Sequence, residues 1–180
     1  MGSEHVKRSK QLIKTSEIKE QYNAQKDLYK SLFIKLKEAK SQVIDEAAKH
    51  LHDKAFQKID CRTCANCCKT AGPLLVQEDI NRLSQHLDLS AGDFIQRYLE
   101  MDEDGDFVFV GKPCPFLQSD DLCSIYEIRP KACREYPHTN RKLFRDLEDI
   151  HLANAAICPA VQDVLENLDQ LEGQGKLGAK

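Results

Sequence analysis

Cys61-Arg62-Thr63-Cys64-Ala65-Asn66-Cys67-Cys68 places four thiols within eight residues, and four more follow at Cys114, Cys123, Cys133 and Cys158. Packing does not account for that density. A buried free cysteine behaves as a small hydrophobe, which explains one or two of the eight but not the cluster. Thiolates two residues apart on a tight turn converge on one soft metal centre, and a sulfur-only donor set points to zinc or to an iron–sulfur cluster. The stretch therefore predicts a metal-stapled fold whose irregular, cysteine-rich loops are tied by a bound centre.

The rest of the chain agrees with a fold that needs such help. Only 7% of the 180 residues are aromatic and Trp is absent, so the core must be small and aliphatic. A bound metal contributes folding energy in that situation. No apolar run approaches the roughly 20 residues that cross a bilayer, so no membrane span is expected. Met1-Gly2-Ser3-Glu4-His5-Val6-Lys7-Arg8 has no apolar stretch after its charges, so no secretory signal is expected. Gly2 does not open a myristoylation pattern, because Val6 stands where Ser or Thr is required. A reducing, cytoplasmic compartment follows, where eight cysteines serve as metal ligands rather than disulfides.

Charge divides the chain just before the first cysteine. Residues 1–59 carry 13 Lys/Arg against 8 Asp/Glu, and residues 60–180 carry 13 against 21. The first part has no Pro and no Gly beyond Gly2, which permits a long N-terminal helix. Tyr22, Tyr29, Leu36 and Val43 are each seven apart, with Leu32 and Ala39 in a second seam position. This predicts a helical arm over 1–57, either packed on the metal domain or offered to a partner or a second copy. Lys alternates with acid there and no aromatics interleave, so no nucleic acid is expected.

Beyond the cluster, Ile80, Leu83 and Leu87 predict a helix over 77–87, and Ser90 with Asp93 caps another running through Leu99. Asp102-Glu103-Asp104-Gly105-Asp106 turns into Phe107–Val110, one arm of a small hairpin. It is not an EF-hand, because its glycine is misplaced and Pro113 stands where the bidentate acid belongs. Residues 111–137 are Pro-rich, irregular and pinned by cysteines. Helical spacing returns at Leu143, Leu147, Ile150 and Ile157, then from Val161 to Leu171 behind Pro159, a first-turn proline. The expected fold is mainly α with irregular Cys-rich loops and a small β-hairpin. A single metal-stapled domain over 58–172 follows the long N-terminal helix, and residues 173–180 form a disordered tail.

All eight cysteines are candidate ligands. Cys61, Cys64 and Cys67 have the spacing that wraps three corners of a four-iron cluster, and Cys158-Pro159 matches the proline-followed cysteine of ferredoxin-like sets. Eight thiolates equally make two all-cysteine zinc sites of four ligands each. On an extended backbone Cys67 and Cys68 point apart, so they serve different centres or only one ligates. Arg62, Arg129 and Arg134, with Lys69 and Lys131, lie near cysteines in sequence and are placed to offset thiolate charge. His138, five residues after Cys133, is an alternative ligand.

Taken with Cys114-Pro115-Phe116-Leu117, Cys123-Ser124-Ile125-Tyr126-Glu127, Arg129-Pro130 and Cys133-Arg134-Glu135-Tyr136-Pro137, the cluster resembles the family named for its CxxCxxCC motif. The resemblance spans about residues 58–160 and implies chelation of zinc or iron. A distant branch holds flagellin lysine methylases, which implies an iron–sulfur cluster and methyl transfer; this chain shows no separate methyl-donor domain. Many members have glycine after the second cysteine, where Ala65 stands here. Three functions follow: a protein holding an iron–sulfur cluster (4Fe-4S) or zinc, an iron–sulfur enzyme of redox or methyl-transfer type, and a zinc-stapled interaction module. In the second, Tyr126, Arg129, Arg134 and Tyr136 would stand beside an open metal position.

Overall fold

The structure, a computed structural model, describes residues 15–178. Nine helices and one two-stranded hairpin are present among these residues: α1 (Thr15–Leu36), α2 (Ser41–Lys58), α3 (Cys61–Cys64), α4 (Asn66–Thr70), α5 (Gln77–His86), α6 (Ala91–Tyr98), β1 (Leu99–Met101), β2 (Phe107–Phe109), α7 (Lys131–Glu135), α8 (Glu148–Ala155) and α9 (Pro159–Gly173). The fold is mainly α with a small antiparallel hairpin, as the sequence predicts. No helix among the described residues is long and apolar enough to cross a membrane.

The predicted long helix is two helices, and the cause is tertiary. Arg145 donates to the carbonyls of Lys37 and Ala39 at 3.3 and 2.6 Å, satisfying groups that the end of α1 leaves free. Asp45 on α2 accepts the amides of Leu143 and Phe144 at 3.0 and 2.9 Å. A distant loop thus docks on the α1–α2 turn, where no Gly or Pro marks a break.

Two hydrophobic cores follow. In the first, α9 is central and both α1 and α2 pack on it. Its Val161, Val164, Leu165 and Leu168 are buried with Tyr29, Leu32, Phe33 and Leu36 of α1 and Ile44 and Ala48 of α2. The face read as a heptad seam is therefore covered by the chain's own α9. The charge split has the same origin: Lys35 faces Asp169 and Glu172, and Lys58 faces Asp163. Residues of α1 and α2 are part of this core, and Leu177 is buried in it too.

The second core gathers Leu75, Ile80, Leu83, Phe94, Leu99, Phe109, Phe116 and Ile125. Ser90 caps α6 through its hydroxyl, which accepts the Asp93 amide at 3.1 Å. The hairpin pairs Leu99 with Phe109 and Met101 with Phe107. Its acidic turn is closed by Asp102, which accepts the Asp104 and Asp106 amides.

The spacing of Leu143, Leu147, Ile150 and Ile157 misidentifies the inward face. Leu143 and Ile150 are exposed, while Phe144, His151 and Ala155 are buried. Leu143 takes a left-handed φ of 60° where Asp45 turns the chain, which resets the helical phase. His151 stacks on Phe144 at 4.0 Å and lies 6.0 Å from Phe33. Its ring nitrogens have no well-aligned partner, and burial, with His138 nearby, holds it down at about 4.

An unfolded His151 takes its proton near 6.5, whereas the folded one waits until about 4. Its stabilising contribution is thus complete above pH 6.5 and is lost as pH falls from there toward 4. Urea unfolding at neutral pH and near pH 4.5 checks this: His151→Phe should shrink the acid-induced loss of stability by about 2–3 kcal/mol relative to the parent chain.

Candidate metal centre

The opening stretch folds as two short helices joined at Ala65. Asp60 caps α3, accepting the Arg62 amide at 3.0 Å. Ala65 is left-handed, with φ 50°, and returns its amide to the Cys61 carbonyl at 3.1 Å. A left-handed residue other than glycine costs about 1–2 kcal/mol, so the kink is held by its surroundings. Asn66, 2% exposed, provides much of that hold through Nδ2, which donates to the Ile157 carbonyl at 2.6 Å. This bond fixes α4 against the residue before Cys158.

The other end of α4 is fixed to a different segment. The Cys114 amide donates to the Cys68 carbonyl at 2.8 Å, and Lys69 pairs with Asp121 at 2.7 Å. A bridge between Leu117 and Cys123 closes the 114–124 loop, so Cys114 and Cys123 approach α4 together. Cys133 arrives on α7, whose first amide, Lys131, donates to both oxygens of Asp79 at 3.0 and 3.1 Å. Asp79 is 1% exposed and also pairs with Arg82, which in turn donates to the carbonyls of Ile128 and Arg129. Cys158 is the N-cap of α9, with Pro159 at the first helical position.

All eight cysteines are free thiols. Burial pushes Cys61 and Cys114 up to about 11 and Cys133 and Cys158 up to about 12, and raises Cys123 as well. A hydrogen bond between the adjacent thiols raises Cys67 and lowers Cys68. Arg129 opposes the burial effect at Cys61, Cys123 and Cys133. Its guanidinium lies 3.9 Å over the Tyr126 ring and donates to the Tyr126 carbonyl at 2.7 Å. Arg62 pairs with Asp60 and stands 6.0 Å over the same ring, while Arg134 donates to the Arg129 carbonyl. Of the three arginines expected around the thiols, Arg129 is the one whose charge acts on several of them.

A cavity of about 550 Å³ is bounded by Cys61, Cys67, Cys68, Cys114, Cys123 and Cys133. It continues to His52, Glu135, Tyr136 and His138, while Cys64 and Cys158 do not line it. The Tyr136 hydroxyl lies beside Cys158 without a well-aligned partner, and His138 Nδ1 is buried and unpartnered. Among the described residues, no group of three or more Cys, His, Asp or Glu side chains stands in a metal-coordinating arrangement. Six of the eight cysteines line this one cavity. Their chemistry fits a soft cation: buried thiols held protonated by desolvation release protons to a metal that replaces them.

The sequence profile of the CxxCxxCC family, described as a "putative zinc- or iron-chelating domain", matches residues 60–159. The chain belongs to the CxxCxxCC family. No curated protein and no solved structure matches it. The family match begins at Asp60 and ends at Pro159. It therefore omits α1, α2 and nearly all of α9, which supply most of the first core.

Asn66, Asp79, Arg82 and Asp121 escape sequence reasoning, because each acts through a partner that is remote or on the backbone. His138, proposed as an alternative ligand, lines the cavity but has Arg141 and Glu135 as its charged neighbours. Asn66→Ala strips the Ile157 carbonyl of its donor. Chemical unfolding should show a loss of about 1–3 kcal/mol, accompanied by weaker metal retention against a chelator.

Proposed function

We propose that this CxxCxxCC protein holds an iron–sulfur cluster, of the 4Fe-4S type, or zinc through its cysteine thiolates, with iron–sulfur preferred. The observation that carries the reading is the convergence of Cys61–Cys68, Cys114, Cys123, Cys133 and Cys158 around one seam from well-separated parts of the chain. The triple spacing of Cys61, Cys64 and Cys67, with Cys158-Pro159, supports the iron–sulfur choice. When bound, an iron–sulfur group supplies electron transfer and zinc supplies a structural tie. Arg129 offsets the thiolate charge, and the Tyr136 hydroxyl stands near Cys158. A reducing, cytoplasmic compartment keeps eight thiols available for ligation.

Metal, acid-labile sulfide and visible absorption of anaerobically purified protein test this directly. Brown protein with iron and matching sulfide is expected. Colourless protein with about two zinc per chain overturns the iron–sulfur preference, and protein free of both metals overturns the reading itself.

A second reading, catalysis at the centre, is supported by the cavity wall beyond the thiols, where Tyr136 and His138 hold unpartnered polar atoms. It requires a metal position open to exogenous ligand. Cyanide should then perturb the electronic or paramagnetic spectrum of the loaded protein; an unchanged spectrum marks a centre saturated by thiolate and removes this reading.

A further inference from the structure

We propose that the thiols form two separate four-thiolate centres, with the boundary running between adjacent residues: Cys61, Cys64, Cys67 and Cys158 hold one, and Cys68, Cys114, Cys123 and Cys133 hold the other. This rests on the metal-binding reading and assigns its ligands.

Cys67 and Cys68 both lie on α4, held as a helix by the Lys69 amide on the Ala65 carbonyl at 3.1 Å and the Ala71 amide on the Cys67 carbonyl at 2.8 Å. Consecutive side chains on a helix are set about 100° apart around its axis, so the two sulfurs, still hydrogen-bonded to each other, have different neighbours on either side. The flanking residues show which neighbours. Asn66 binds the carbonyl of Ile157, next to Cys158, while Lys69 binds Asp121 and the Cys68 carbonyl receives the Cys114 amide.

The hydrophobic cores divide the same way. Cys158 belongs to the α9 core, with Ile59 and Tyr136 packed against it, whereas Cys114 and Cys123 pack on the core of α5, α6 and the hairpin. Sulfur neighbours agree: Cys158 feels Cys61 and Cys64, Cys67 feels Cys158 and Cys61, and Cys133 feels Cys68, Cys114 and Cys123. Influences crossing between the sets join Cys68 to Cys67 and Cys61. Arg129 acts on Cys61 of the first set and on Cys123 and Cys133 of the second, so one guanidinium offsets both centres. Each set takes a soft centre, zinc or iron–sulfur, and the two need not hold the same one.

Cys→Ala variants at Cys64, Cys158, Cys114 and Cys133, purified anaerobically as full chains, test the assignment through iron, zinc and sulfide per chain. Cys64→Ala and Cys158→Ala should lose one and the same portion of the metal. Cys114→Ala and Cys133→Ala should lose the complementary portion. A double variant within a set should lose no more than either single one, and a double variant across sets should lose everything. Singles from different sets that remove the same metal overturn the assignment, as does a parent chain holding one centre. A parent chain with no metal overturns the metal-binding reading instead. Should the variants fail to fold, titration of the parent protein with a mercurial decides. With zinc loaded at both centres, metal should leave from the first equivalents through the eighth, one per thiol; inorganic sulfide of an iron–sulfur centre consumes further equivalents and is counted separately. A lag of about four equivalents, or completion at about four, marks a single four-thiolate centre and overturns the proposal.

Discussion

Cys67 and Cys68 occupy consecutive positions of the five-residue α4, about 100° apart around its axis, with their thiols hydrogen-bonded to each other. The two hydrophobic cores lie on either side of that pair. On one side stands the core centred on α9, with α1, α2 and α8; on the other stand α5, α6 and the hairpin. The two cores share no residue, and no pair of their helices or strands packs extensively across the gap. What spans it is polar: Asn66 to Ile157, Lys69 to Asp121, and the thiols themselves.

That seam is an unfavourable place for isolated charge. Desolvation holds most of its thiols above their ordinary range, so a thiolate there needs a cation at hand. Arg129 acts on three of the thiols, positioned by Tyr126 below its plane and by the Arg82–Asp79 pair behind its carbonyl. A single guanidinium balances only part of the charge that eight thiolates would carry. In the proposed reading a metal centre would complete the compensation, and in doing so would tie together two cores that share no residue. Metal affinity and cohesion of the fold are then the same free energy seen from two sides.

Much of this was legible in the chain. Local rules place α5, the Ser90-capped α6, the hairpin turn and Pro159, because each depends on residues within one turn of itself. The family motif is equally local. The errors share one cause: a contact from far away decides the outcome. Arg145 and Asp45 break the N-terminal helix and shift the phase of the following one, so Leu143 and Ile150 face water while Phe144 and His151 turn inward. Likewise, the heptad-like seam of α1 marked a buried face correctly, yet its periodicity held no information on whether the cover was α9 or a second chain. Asn66 has no signature at all, since its value lies in one carbonyl 91 positions away.

Ala65 shows how tightly the seam constrains even its smallest member. The turn between α3 and α4 requires a left-handed residue, a position suited to glycine. Alanine adopts the same conformation here, 3% exposed, at an energetic cost that the local hydrogen bonds must offset. Those bonds run backward to Cys61 and forward to Lys69, the residue that follows the cluster. The geometry that aims Cys61 and Cys64 before the kink, and Cys67 and Cys68 after it, is thus imposed by the turn rather than chosen residue by residue. In the proposed two-centre assignment, a vicinal pair placed after such a kink lets one short segment supply a ligand to each centre, and the second of the two adjacent cysteines then has a purpose the first does not serve.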